Sequence, residues 1–257
     1  MDNIFRRLGA GVVVAMSLVA EAAAEEFRIE TGVFAGKQKE PFAKNLTLFT
    51  DGLVYDFSLL GPEEITVLDP VRGRFVLLDL KRQIRTTLTT KELLEITAAI
   101  KTHAPEMDGV FAFAANPQFE TQFDTEKNML TLRSAVLTYR AKALSPKFAS
   151  AVSSYQQFAD WYARLNAVRP GSLPPFARIE LNKALAERGL IPEEVELTVA
   201  PTNRLVGRTV VIRSQHAVNW RLSNTDRKQI ETAGSHMAEF QPVGFKEYTR
   251  KTEPPKK

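Results

Sequence analysis

The chain has 257 residues, 44% of them hydrophobic, 25% charged and 9% aromatic, with no cysteine and a formal net charge of +4. This composition excludes a disordered chain, a collagen-like repeat, a coiled coil and a disulfide scaffold, and it supplies enough apolar side chains for a substantial core. The missing cysteine also removes thiol chemistry and an N-terminal lipidated cysteine.

Residues 1–24 have the three-part pattern of a secretory signal peptide: Arg6-Arg7, an apolar run from Leu8 to Ala20, and Ala22-Ala23-Ala24 before Glu25-Glu26. The apolar run is 13 residues long, short of the roughly 20 that span a bilayer. Cleavage near Ala24 would release a periplasmic or secreted chain, soluble and held together by packing alone. An uncleaved anchor and a buried N-terminal helix of a cytosolic protein are the alternatives. Arg6-Arg7 also suits a twin-arginine signal, which nothing nearby supports.

Residues 26–88 read as a meander of short strands: Phe27–Phe34, Asn45–Phe49, Leu53–Leu59, Glu64–Leu68, Arg74–Leu80 and Gln83–Leu88. Asp51-Gly52 and Asp69-Pro70-Val71-Arg72-Gly73 supply turns between alternating segments. Leu46 and Leu48 share one face, as do Tyr55, Phe57 and Leu59. Arg74–Leu80 is apolar on both sides, which predicts a central strand covered twice. Thr89-Thr90-Lys91-Glu92 has capping-box spacing, and Leu93, Ile96 and Ile100 continue a helix over 90–102 that should lie across the sheet.

Strands then resume over Gln118–Phe123, Met129–Ser134 and Leu137–Ala143. Phe148, Val152, Tyr155, Ala159 and Tyr162 fall at helical intervals, marking an amphipathic helix over 147–167. Ser172 and Pro174-Pro175 open a second helix, which Gly189 closes. Glu194–Val199 and Arg208–Ser214 read as strands, with Ala217–Leu222 as a further one, followed by a helix near 224–233. The expected organisation is a signal peptide over 1–24, one α+β domain over 25–241 and a disordered basic tail over 242–257. The expected fold is a curved antiparallel sheet, half-barrel-like, covered by helices.

Residues 201–257 hold 11 Lys/Arg and 5 Asp/Glu, so the positive surplus is C-terminal. A solvated basic face explains it. Contact with an anionic envelope surface is the sharper alternative, whereas nucleic acid is not expected for an exported protein.

Signals of chemistry are sparse. His103, His216 and His236 lie far apart and in no metal-ligand spacing, and they read as surface or capping residues; His103 ends a helix, where an imidazolium meets the helix dipole. No G-x-S-x-G or S-x-x-K element is present, and the one glycine pair of phosphate-loop flavour, Gly9-Ala10-Gly11, lies in the leader. Ser214 and His216 share a strand face without an evident third partner, and the pairing reads as chance. Neighbouring carboxylates at Glu63-Glu64 and Glu193-Glu194 point to opposite faces of a strand. Tyr155, Phe158, Trp161 and Tyr162 concentrate aromatic surface, as core or as a stacking platform. No catalytic, cofactor-binding or metal-binding residue is assigned.

Leu46 to Ile100 resembles the lipoprotein-carrier and lipoprotein-sorting superfamily of exported bacterial proteins. The resemblance rests on the order of Asp51-Gly52, Tyr55-Asp56-Phe57, Thr66-Val67-Leu68-Asp69-Pro70 and Arg74-Phe75-Val76-Leu77-Leu78-Asp79. It implies an incompletely closed antiparallel sheet with helices across its open side and an apolar cavity for acyl chains. The strand at Phe27–Phe34, where such proteins usually open with a helix, and the two helices within 145–190 depart from that pattern. The expected function is a non-enzymatic binding or scaffold domain of the envelope that holds a lipid or other apolar ligand, without a cofactor. The alternative is a hydrolase whose site is assembled from distant residues.

Overall fold

The computed structural model describes residues 25–50, 52–169, 171–200 and 208–250. Residues 1–24, where a signal peptide is expected, and residues 251–257, the end of the expected basic tail, lie outside the described residues.

Six strands open the fold: β1 (Phe27–Ala35), β2 (Ala43–Phe49), β3 (Val54–Leu60), β4 (Glu64–Asp69), β5 (Arg74–Asp79) and β6 (Ile84–Thr89). Each pairs antiparallel with the next. Their turns follow from local chemistry. Gly52 takes φ +80°, and Thr50 donates its amide to the Leu53 carbonyl at 3.0 Å. Asp69 accepts from the Arg72 amide at 3.0 Å, and Gly73 takes φ +59°. A Cβ at Gly73 would stand 3.0 Å from Thr90 Oγ1, so both the backbone angle and the close approach favour glycine there.

Thr89 caps α1 (Thr90–Thr102) through a complete capping box with Glu92. His103 ends the helix, its Nδ1 2.8 Å from the Ala99 carbonyl. The helix differs from expectation in its inward face: Leu93 and Thr97 are buried whereas Ile96 is exposed. It leans on the next long helix, where Arg164 donates to Thr97 Oγ1 at 3.1 Å, instead of crossing the sheet on an apolar stripe. A short helix absent from the sequence reading, α2 (Gly109–Ala115), follows; seven residues are too few for periodicity to reveal.

A second meander comprises β7 (Glu120–Asp124), β8 (Met129–Arg133) and β9 (Leu137–Leu144). Two helices then intervene, α3 (Ser150–Ala167) and α4 (Phe176–Ala186). Beyond α4, Gly189 takes φ +68° and donates to the Ala186 carbonyl, while Leu190 donates to that of Leu185. These are the paired bonds of a Schellman cap. β10 (Ile191–Val199) and β11 (Val210–Asn219) return the chain to β1. β11 runs unbroken through Ser214 and His216, where two separate strands were expected.

With β12 (Gln241–Pro242), the described residues form one twelve-stranded open sheet in the order β12-β6-β5-β4-β3-β2-β1-β11-β10-β9-β8-β7. β5 is apolar on both sides, as expected, but sits third from an edge rather than at the centre. On the inner face, α3 packs over Phe27, Ile29, Phe49 and Val54, and α4 packs over the β8–β10 half through Ala177, Leu181 and Leu185. On the outer face, α5 (Asn224–Glu239) covers Leu46, Leu48, Tyr55, Phe57, Val67 and Leu78.

The folded chain continues past the boundary drawn at residue 241. Gln241–Pro242 form β12, parallel to β6, and α6 (Phe245–Tyr248) follows. Tyr248 is buried, and its hydroxyl donates to Glu64 at 2.7 Å. A tail beginning at Pro242 is therefore not what residues 242–250 form. Proline and charge made the segment look solvated, but the edge of β6 and the carboxylate of Glu64 hold it. Glu64 also accepts from Arg169 at 3.2 Å, so it tethers two distant segments to the start of β4.

Candidate functional site

Cross-strand pairing places His216 opposite Thr31 and Thr31 opposite Asn45, while one row along Ile29 faces Thr47 and Thr47 faces Asp56. Directly opposed residues point to the same side of a sheet. Thr31, Asn45, Thr47, Asp56, Ser214 and His216 thus form a polar belt across β11, β1, β2 and β3 on the inner face, under α3. Above this floor lies a cavity of about 250 Å³, roofed by Tyr155, Phe158, Ala159, Tyr162 and Ala163 of α3 and by Arg178 of α4. Ile29, Val33 and Phe49 complete its apolar wall.

Asp56 is buried at one end of this space. It accepts from Asn45 Nδ2 and Thr47 Oγ1, each at 2.7 Å, and from the Tyr162 hydroxyl at 3.1 Å. Burial nonetheless raises its carboxyl above the usual aspartate range, since three neutral donors do not fully replace water around a charge. The same burial, with Asp56 beside it, pushes the Tyr162 hydroxyl well up.

His216 lies at the other end. Thr31 Oγ1 stands 2.9 Å from Nδ1, and Ser214 Oγ stands 3.1 Å from Nε2. Burial, reinforced by the Arg178 charge, lowers its pKa to about 3, so the imidazole is neutral. Arg178 donates through Nε to Asn182 at 3.0 Å and through Nη2 to the Tyr155 hydroxyl at 3.3 Å. Asn182 in turn donates to Asp160 at 2.8 Å. Arg178 has no carboxylate within ion-pairing distance among the described residues.

The expectation that all three histidines are surface or capping residues fails for His216, whereas His103 ends α1 and half-buried His236 lies in the last turn of α5. His216 is buried in the cavity floor, and His236 stacks on Phe240 with ring centroids 4.6 Å apart. The Ser214–His216 pairing, read as chance, is a real contact, and its third partner is Thr31. Of the aromatic concentration, Tyr155, Phe158 and Tyr162 line the cavity, whereas Trp161 turns toward Arg164. Glu193 pairs with Lys142 on the outer face, away from this space. No group of three His, Asp or Glu side chains gathers to hold a metal ion among the described residues.

The arrangement suits holding a molecule better than breaking one. A serine, a histidine and a hydroxyl are in line, but the residue orienting His216 is a threonine rather than a carboxylate. A base with a pKa near 3 accepts a proton poorly at neutral pH.

No family model and no curated protein matches the chain. Among solved structures, a LolA superfamily protein from Nitrosomonas europaea is similar over 79% of this chain and 88% of that chain, at 7% sequence identity and a TM-score of 0.30.

Proposed function

We propose that the protein is a non-catalytic binding domain that holds one small amphiphilic molecule between the sheet and α3. The observation that carries this reading is the cavity itself, where Ile29, Val33, Phe49, Phe158 and Ala163 surround a belt of buried polar side chains. Ligand sites are concave, mostly apolar and furnished with a few fixed polar groups. Hydrogen-bonded polar groups of this kind add little to a packed core, whereas beside a cavity they fix the orientation of a bound molecule. An apolar ligand was expected from the sequence; the polar floor changes that expectation to a molecule with a polar end. Export rests on the leader pattern of residues 1–24, and contact with anionic envelope surfaces on the C-terminal basic surplus. No described helix is long and apolar enough to cross a membrane.

Native mass spectrometry and solvent extraction of protein purified from its own host are the test, together with titration of a fluorescent fatty acid. A co-purifying molecule, and probe binding lost in Ala163→Phe, support the reading. An empty protein that also ignores the probe refutes it. A second reading, hydrolysis, is favoured by the Ser214–His216 contact alone. Turnover of any ester or amide that Ser214→Ala abolishes would replace the first reading.

A further inference from the structure

We infer that the ligand carries an anionic head group, carboxylate or phosphate, received by Arg178 with Ser214, Thr31 and His216 beside it. The inference rests on the binding reading and adds the chemistry of the head. Two observations support it.

The first is charge. The cavity has one cationic side chain, Arg178, and it forms no ion pair among the described residues. Its Nε and Nη2 are fixed by Asn182 and Tyr155. The guanidinium has five N–H donors, so donors remain after these two bonds. A rigid fork of this kind matches carboxylate and phosphate oxygens. Arg178 is half-buried, with Asp160 acting on it only at longer range beyond Asn182, so its unspent N–H donors are where an anion's oxygens would sit.

The second is the separation of the two ends. Arg178 is tied to Tyr155 and Asp56 to Tyr162. Seven residues of α-helix separate these tyrosines, a rise of about 10 Å. Phe158 and Ala159 lie between them and line the cavity. The Asp56 carboxyl is thus two helical turns away from Arg178 and already accepts three hydrogen bonds. A head at Arg178 and a chain lying along Phe158 and Ala159 fill the space without placing two acids together. A cavity of about 250 Å³ leaves room for a short apolar chain beyond the head.

Calorimetric titration of the whole protein with octanoate, octyl phosphate, octanol and octylamine tests this. Octanoate or octyl phosphate should bind at least tenfold more tightly than octanol, and the stronger of the two identifies the head. Arg178→Gln should remove that advantage while changing octanol affinity less than twofold, with circular dichroism and melting confirming a folded variant; Arg178→Lys should retain part of it. Equal binding of octanol and the anions, tightest binding of octylamine, or equal weakening of octanol by Arg178→Gln would overturn the anionic head and leave the binding reading intact. If none of the four binds, both fall together.

Discussion

The two faces of the sheet are built from the same strands and do opposite things. On β2, Leu46 and Leu48 point to the outer face and Asn45 and Thr47 to the inner one. On β3, Tyr55 and Phe57 flank Asp56, and on β4, Ile65 and Val67 flank Thr66. The outer face under α5 is an apolar layer. The inner face alternates apolar anchors, Phe27, Phe49, Leu68 and Phe75, with buried polar groups. One face contributes by excluding water, while the other gives up some of that gain to keep hydrogen-bonding groups beside a cavity.

The largest expected effect is on the outer face. Leu48 is fully buried, so Leu48→Ala should cost about 2–5 kcal/mol in denaturant unfolding and leave ligand affinity unchanged in the molecules that remain folded. A loss of affinity as large as that caused by an inner-face substitution would erase the distinction between the faces.

Acid should strike the inner face next. His216 has its pKa depressed from 6.5 to about 3 in the fold, so below pH 6.5 the unfolded chain binds a proton that the folded chain refuses. Its contribution is fully present above 6.5 and is lost as pH falls toward 3, at up to about 1.4 kcal/mol per pH unit. His216→Gln should flatten the stability profile in that window, and an unchanged slope would mean the imidazole is charged in the fold. Asp56 works in the other direction. Its raised pKa means the folded chain holds a proton that the unfolded one releases, so stability should decline as pH rises above about 4. Asp56→Asn should gain on the parent through that rise.

Smaller still is Asp56→Ala at fixed neutral pH. It strands the donors of Asn45, Thr47 and Tyr162, and about 1–3 kcal/mol of lost stability is expected. A more stable variant would show that the polar floor is strained even when satisfied. The smallest effect belongs to the C-terminal anchor: Tyr248→Phe removes one hydrogen bond to Glu64 and should cost about 0.5–1.5 kcal/mol by chemical denaturation.

What could be read in advance was what depends on near neighbours. The hairpins at Gly52 and Gly73, the Thr89–Glu92 capping box, the spacing of α3 and the glycine after α4 are each decided within a few residues, and all are visible in the chain. The cavity is not, because its floor joins Thr31 to His216 across 185 positions. Asn45, Thr47 and Asp56 alternate with leucines and aromatics, which is also the pattern of a strand with one wet face. Only the cover supplied by α3 turns that wet face into a buried one. One local sign was present: Asp56 sits between Tyr55 and Phe57 in the middle of a strand, where aspartate is unfavourable without a specific partner. The end of the domain was misplaced for a similar reason, since two residues of strand and four of helix have no periodicity of their own.

The parallel pairing of Gln241–Pro242 on β6 has a consequence for how molecules meet one another. An open sheet has two unpaired rims, and a rim offers its amides and carbonyls to any passing strand. At β7 the rim is five residues long, with Glu120, Thr121 and Gln122 exposed. At β6 it is already occupied: Gln241 donates to the Gln83 carbonyl at 3.1 Å and Val243 to that of Arg85 at 2.8 Å. The new outer position is Pro242, which has no amide to offer. The Gln241–Val243 stretch is thus a stopper against self-templating, and a chain ending before Gln241 would meet its first difficulty in solution behaviour rather than in folding.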